Sequence, residues 1–138
     1  MTDTIFTKII NRELPAEIIY EDEFVIAFLD IAPIHKGHTL VVTKKQFVNI
    51  FDGDSESLAQ MMRVGHKLGL AIKESLAADG INLSMNNGEA AGQEVPHAHL
   101  HIIPRFNGDN SFKKPLHEEY EEGEMGQVAT KIKSVLKS

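Results

Sequence analysis

His97-Ala98-His99-Leu100-His101-Ile102-Ile103 alternates imidazole with aliphatic side chains. Alternate residues of a β-strand share a face. The pattern therefore predicts a strand from Pro96 to Ile103, with three imidazoles in a row on one side and Ala98, Leu100 and Ile102 packing the other. Such a row can be a nucleophilic centre, because neutral imidazole attacks phosphorus well and a second ring can hold or supply a proton. It can also be a metal site, histidine being the commonest transition-metal ligand. The plainest alternative is that one or two of the rings are packed polar residues.

The segment just upstream separates these readings. Gly88-Glu89-Ala90-Ala91-Gly92-Gln93-Glu94-Val95 leads directly into the strand. Its glycines permit positive φ and let backbone N–H groups converge on an anion, as in a phosphate nest. Gln93 adds an uncharged amide able to bridge a phosphate and a leaving group. A zinc site has no need of such a loop, so phosphate chemistry at His99, the flanked central ring, is the favoured expectation.

Further out, Thr4 to Asn11 reads as a short helix with Asp3 as N-cap and Ile5, Phe6, Ile9 and Ile10 on one side. Glu17–Tyr20 and Phe24–Asp30 are β-rich runs joined by a polar loop, and Gly37 precedes a third strand, His38–Thr43. The longest helix starts at Asp54 or Ser55, carries Leu58, Met61, Met62, Gly65, Leu68, Ile72 and Leu76 at helical spacing, and ends at Asp79-Gly80. Ile81 to Asn86 alternates, with Asn82, Ser84 and Asn86 on the polar side. After Phe106 the chain becomes polar (Asn107 to Ser111), then acidic, before a final amphipathic helix marked by Val128, Ile132, Val135 and Leu136. Sequential antiparallel strands with one major helix indicate an α+β domain over residues 1–106, with 107–138 as a C-terminal extension.

Composition sets the outer limits. The 138 residues are 42% apolar and 25% charged, a balance that supports one domain with a real core. There are no cysteines, which excludes disulfides and thiolate zinc sites. A net charge of −6 argues against a nucleic-acid partner. No segment approaches the roughly 20 apolar residues of a membrane span, and the N-terminus lacks a secretory pattern, so the expected compartment is the cytoplasm.

Gly92-Gln93-Glu94-Val95-Pro96-His97-Ala98-His99-Leu100-His101-Ile102-Ile103 resembles the signature of the histidine-triad (HIT) family of nucleotide hydrolases and transferases. Thr4–Ile10, Leu14–Asp22, Ala27–Pro33 and Gly37–Val42 resemble its Hint branch, so the likeness runs from about residue 4 to 105. It implies an antiparallel sheet with one long packed helix, and a two-fold dimer. His99 would attack the α-phosphorus and carry a covalent nucleotidyl group until water releases it. His101 would contact the phosphate and serve the leaving group. The backbone carbonyl of His97 would orient the nucleophile, and His38 would be the fourth histidine of the site. Asp30 corresponds to the carboxylate that binds the ribose hydroxyls, though its place before Ala32-Pro33 also suits a turn former. Asn86 corresponds to a phosphate-side asparagine. Ile5, Phe6, Ile9, Phe28 and Ile31 would form the slot for the base, with Gly92, Gln93, Glu94 and Val95 around the phosphate. His35, His66 and His117 match no family position and read as surface or packing residues.

The departures from the family also carry information. Glu94 stands where Hint-branch members have Ser or Thr, and it is expected to turn outward or act as a base. Ile103-Pro104-Arg105 resembles the diadenosine-polyphosphate (Fhit) branch. The N-terminal cysteine ligands of zinc-containing members are absent. The resemblance implies a hydrolase of purine nucleoside phosphoramidates such as an AMP–amine conjugate, with no required cofactor. The alternatives are a dinucleoside polyphosphate hydrolase, for which a divalent cation is admissible, a non-catalytic nucleotide sensor, and a metal module built on His97, His99, His101 and His38.

Overall fold

A computed structural model of the protein describes residues 1–109 and 114–136. Asn110 and Ser111 of the polar run lie outside those residues. In chain order the elements are α1 (Ile5–Ile10), β1 (Ile18–Glu21), β2 (Val25–Leu29), β3 (Thr39–Thr43), α2 (Ser55–Leu76), β4 (Gly80–Ser84), β5 (His99–Arg105) and α3 (Glu124–Val135), with a 3-10 turn at Glu89–Ala91. The strands form one five-stranded sheet of order β1-β2-β3-β5-β4. Every neighbouring pair is antiparallel, so the α+β fold class holds.

The alternation of each strand divides the core between two faces. Val25, Ala27, Val41, Leu100 and Ile102 pack with Met61, Val64, Leu68 and Ile72 of α2. Ile26, Phe28, Leu40 and Val42 point to the opposite face, which Phe6 and Ile9 of α1 cover. The histidine strand is thus backed by the long helix and fronted by the short one.

Several boundaries differ from the sequence reading, each for a local reason. Thr4, not Asp3, caps α1: its hydroxyl accepts from the N–H groups of Phe6 and Thr7 while the Thr7 side chain returns to the Thr4 N–H. Asp54 caps α2 through Ser57 N–H at 2.8 Å. That helix stops at Leu76 because Ala77 turns left-handed, at φ 54°. Met62 and Leu76, expected on the core face, are 51% and 41% exposed, because the buried stripe runs through Met61, Val64, Gly65, Leu68 and Ile72. Gly65 lets α2 approach β5 closely: a Cβ there would lie 2.5 Å from Leu100 Cδ2.

The largest shift concerns the histidine strand. It begins at His99, not Pro96, and continues to Arg105, past Ile103. The His97 N–H closes a turn onto Val95 O at 2.8 Å, and Ala98 N–H bonds Phe47 O at 2.9 Å, so this stretch joins a loop before it joins the ladder. Pro104 is accommodated because it lies beyond the last β3–β5 pair, Thr39 with Ile102, and its nitrogen owes no bond to β3.

Candidate active site

Strand β5 places His99 and His101 on the α1 side of the sheet, where β3 brings His38 beside them. The register pairs Leu40 with His101 and Val42 with His99. The His99 and His101 rings are 4.9 Å apart, and those of His101 and His38 are 5.1 Å apart. Phe6 of α1 meets the His99 ring edge-on at 5.0 Å and the His97 ring at 5.9 Å. His97 therefore joins the same group of rings, although it precedes the strand and is fully buried.

Backbone partners fix the tautomer of each imidazole. The carbonyl of His97 can only accept, so His99 Nδ1 carries the proton of their 2.6 Å bond and Nε2 keeps its lone pair. The N–H of Ile34 donates to His38 Nδ1 at 3.1 Å, which puts the proton of neutral His38 on Nε2. That proton is donated to His101 Nδ1 at 2.9 Å, so the neutral His101 ring bears N–H at Nε2. His97 Nε2–H donates to Thr43 O at 2.6 Å, leaving Nδ1 as an acceptor. No ring is left to choose its own tautomer.

Burial keeps these rings neutral, since it disfavours the charged form. It pushes His99 below the usual imidazole range, opposed by the bond to the His97 carbonyl. It lowers His38, opposed by the Asp30 carboxylate. His101 falls to about 4, first through burial and then through its neighbours His99 and His38.

The rings open onto a cleft of about 670 Å³. One wall is apolar and includes Ile5, Phe6, Ile9 and Phe28; His99, His101 and Asp30 line the floor; Asn86, Gly92, Glu94 and Val95 form the far side. Ile31, 91% exposed, stands at the mouth. Two other depressions, around Arg105 and around Ile34 and Leu76, do not include these imidazoles. Asp30 has the turn-forming bond anticipated for it and also faces His38. One carboxylate oxygen accepts from Ala32 N–H at 2.9 Å as a turn former, while the other lies 3.7 Å from His38 Nε2.

The loop before the strand departs from expectation. Gln93 does not line the cleft. Its Nε2 donates to Val48 O and Val95 O, and its Oε1 accepts from Asn49 Nδ2 and Gly88 N–H. With every position of the amide occupied, it braces the loop and cannot bridge a substrate. The N–H groups of Ala91, Gly92 and Gln93 are likewise bonded within the loop. Among the described residues, the peptide N–H groups of Glu94 and Val95, at the loop's downstream end, have no internal acceptor. Gly92, at φ 92°, makes the left-handed turn that leads there. Thr4, which sequence reasoning treated only as part of a helix, hydrogen-bonds His97 Nδ1 at 3.1 Å. The T-x-x-T spacing of its capping box was the available signal.

The four-histidine metal module does not form, because both nitrogens of His97 and Nδ1 of His99 are already hydrogen-bonded. Ligand atoms of Asp30, His38 and His101 do lie within 4.8 Å of one another. A metal on His38 Nε2 would nevertheless force the proton onto Nδ1, against the Ile34 N–H. This donor set does not fit a resident ion. His35 packs edge-on against Phe106 at 5.7 Å, while His66 and His117 are exposed.

Fold and site together define a class of α+β domains in which imidazoles from neighbouring strands converge on one half-apolar cleft. Within that class, the model of the HIT domain family matches residues 11–108, and the chain belongs to the HIT family. It is 49% identical to an uncharacterized HIT-like protein of Methanocaldococcus jannaschii, over 80% of this chain and 84% of that one. It is 38% identical to the protein named hit of Bacillus subtilis, over 97% and 94%. Among solved structures, a HIT family member from Bacillus subtilis superposes with a TM-score of 0.91 at 36% identity, covering 99% of both chains. A histidine triad nucleotide-binding protein from Candida albicans gives 0.85 at 29% identity, covering 96% of both.

Proposed function

We propose that the chain binds purine nucleotide conjugates and hydrolyses them at the α-phosphorus through a nucleotidyl-His99 intermediate, with AMP phosphoramidates as its substrates. The observation that carries this reading is the 2.6 Å bond from His99 Nδ1–H to the His97 carbonyl, which leaves Nε2 unprotonated on the floor of the cleft. The apolar wall suits a base, Asp30 suits the ribose hydroxyls, and the free N–H groups of Glu94 and Val95 suit phosphoryl oxygens.

In the first step a bond forms between His99 Nε2 and phosphorus as the phosphorus–nitrogen bond breaks. The amine leaves with a proton drawn from solvent in the open cleft. The His99 ring then carries positive charge, which the fixed His97 carbonyl stabilises without reorganising. His101 Nε2–H hydrogen-bonds a phosphoryl oxygen throughout. In the second step water attacks phosphorus, its protons pass to solvent, and neutral His99 is regenerated with the nucleoside monophosphate.

A dinucleoside polyphosphate fits less well. Two carboxylates, Asp30 and Glu94, line the cleft, and no Lys or Arg is among its described lining residues to balance extra phosphates. A substrate panel with rapid quenching tests the reading. The wild type should turn over the phosphoramidate and yield an acid-labile adduct at His99, and His99→Ala should do neither while remaining folded. Nucleotide binding without turnover would make the chain a sensor, and full activity in His99→Ala would end the mechanism. The reading carries no required cofactor and places the chain in the cytoplasm. No helix among the described residues is long and apolar enough to cross a membrane.

The same reading includes a two-fold dimer. Strand β4 is an open edge of the sheet, and Leu83 on it, with Met62 and Leu70 of α2, is exposed. An unpaired edge beside apolar side chains suits a second copy of the chain.

A further inference from the structure

The hydrogen-bond path that ends at His99 begins outside the cleft, at the residue that caps α1. His97 is fully buried, and its ring is held at both ends. Nε2–H donates to Thr43 O, which leaves Nδ1 a lone pair that must find a donor, since an unsatisfied buried acceptor is costly. Among the described residues, only the Thr4 hydroxyl, at 3.1 Å, supplies one.

The protons around Thr4 are also directed. Its Oγ1 accepts from the N–H groups of Phe6 and Thr7, both at 3.2 Å, and its own hydrogen faces His97 Nδ1 at 3.1 Å and Thr7 Oγ1 at 3.3 Å, of which only the buried imidazole lacks another donor. The Thr7 hydroxyl accepts from Thr4 N–H at 3.1 Å and donates to Gln46 Oε1 at 3.4 Å. Gln46 Nε2 in turn donates to Thr2 O at 2.7 Å. Donation thus runs outward from Thr4 in two directions, from its N–H through Thr7 and Gln46 to the Thr2 carbonyl and from its hydroxyl to the His97 ring, and the His97 carbonyl is what His99 leans on.

We propose that Thr4 is a positioning residue for catalysis: its hydroxyl fixes the His97 ring, which shares the edge-on contact of Phe6 with His99, and so steadies the residue whose carbonyl holds His99 Nδ1–H with Nε2 facing the cleft. The idea rests on the nucleotidyl-transfer reading given above. It makes the start of α1 part of the catalytic apparatus as well as of the fold. A hydroxyl is required, because the same atom must accept from the helix and donate to the imidazole.

Two variants of the full chain separate this role from helix capping. Thr4→Ser keeps both functions. Thr4→Gly removes the hydroxyl at a position where glycine is still an accepted cap. On an AMP phosphoramidate, Thr4→Ser should keep kcat within about twofold of wild type, whereas Thr4→Gly should lower kcat on the order of tenfold, with KM little changed. Nitrogen-15 spectra of the nucleotide-free protein should show a hydrogen-bonded His97 Nδ1 in wild type and Thr4→Ser, and a His97 Nδ1 resonance shifted toward that of an unbonded lone pair in Thr4→Gly, with the Nε2–H tautomer kept by the Thr43 carbonyl in all three. Wild-type kcat in Thr4→Gly, or a loss confined to KM or to the thermal midpoint, overturns the proposal, as does Thr4→Ser failing equally. If the wild type hydrolyses no nucleotide at all, the functional reading fails by itself. The ring spectra then still decide about Thr4, and an unchanged His97 Nδ1 resonance in Thr4→Gly overturns its role.

Discussion

His99, His101 and His38 are neutral because the protein holds them away from water, and that has a consequence for pH. Their folded-state pKa values lie below the unfolded imidazole value of about 6.5. Below that pH the unfolded chain binds more protons than the folded one, so stability falls as pH drops from about 6.5 toward 4. Thermal midpoints measured from pH 8 to 4.5 should be level above 6.5 and decline below it. Turnover has the same sign: protonation removes the His99 lone pair, but a lowered pKa keeps the ring reactive below pH 6.5. The acid limb of kcat/KM should therefore lie under 6.5, and a limb above 7 would contradict the burial of the site. Glu94 offers a charge test. A carboxylate about 7 Å from an added phosphate in a water-exposed cleft opposes it by roughly half a kcal/mol. Glu94→Gln should accordingly raise kcat/KM for a dinucleoside polyphosphate about threefold relative to a phosphoramidate.

Among the elements, α2 and β5 are locked by a glycine. A methyl at Gly65 would meet Leu100 Cδ2 at 2.5 Å, and Leu100 sits between His99 and His101 in the chain. Gly65→Ala should cost about 1–3 kcal/mol in denaturant titrations, because the buried Leu100 side chain must leave its place to make room. Period-two alternation and helical spacing made the α2 and β5 elements legible in the sequence, and with them the shared face of His99 and His101. The start of β5 was not legible. His97 fits the alternation, yet its N–H is drawn to Val95 and the Ala98 N–H to Phe47, contacts that a strand pattern does not encode. Gln93 was misread for a related reason. Its uncharged amide in the loop leading into the histidines suggested a substrate contact, whereas Val48 and Asn49, more than forty positions away in the chain, occupy it. The Thr4 contact with His97 spans a still longer separation, and even its capping role goes to the neighbouring Asp3 when the sequence is read locally.

For the whole molecule, the sheet has a free margin at β4, and the apolar Leu83 on it, like Met62 and Leu70 of α2, is exposed. Light scattering on the intact chain should give twice the mass of 15.3 kDa, and Leu83→Asp should shift it toward the monomer. A monomeric wild type at micromolar concentration would remove the pairing proposal. The register adds a further point: Ser84, at the end of that outer strand, sits directly opposite His101. Neighbouring strands are about 4.8 Å apart, so a second molecule joined along this margin would come within roughly 10 Å of the chemistry. Specific activity should then depend on how concentrated the enzyme is, falling on dilution as the pairs come apart.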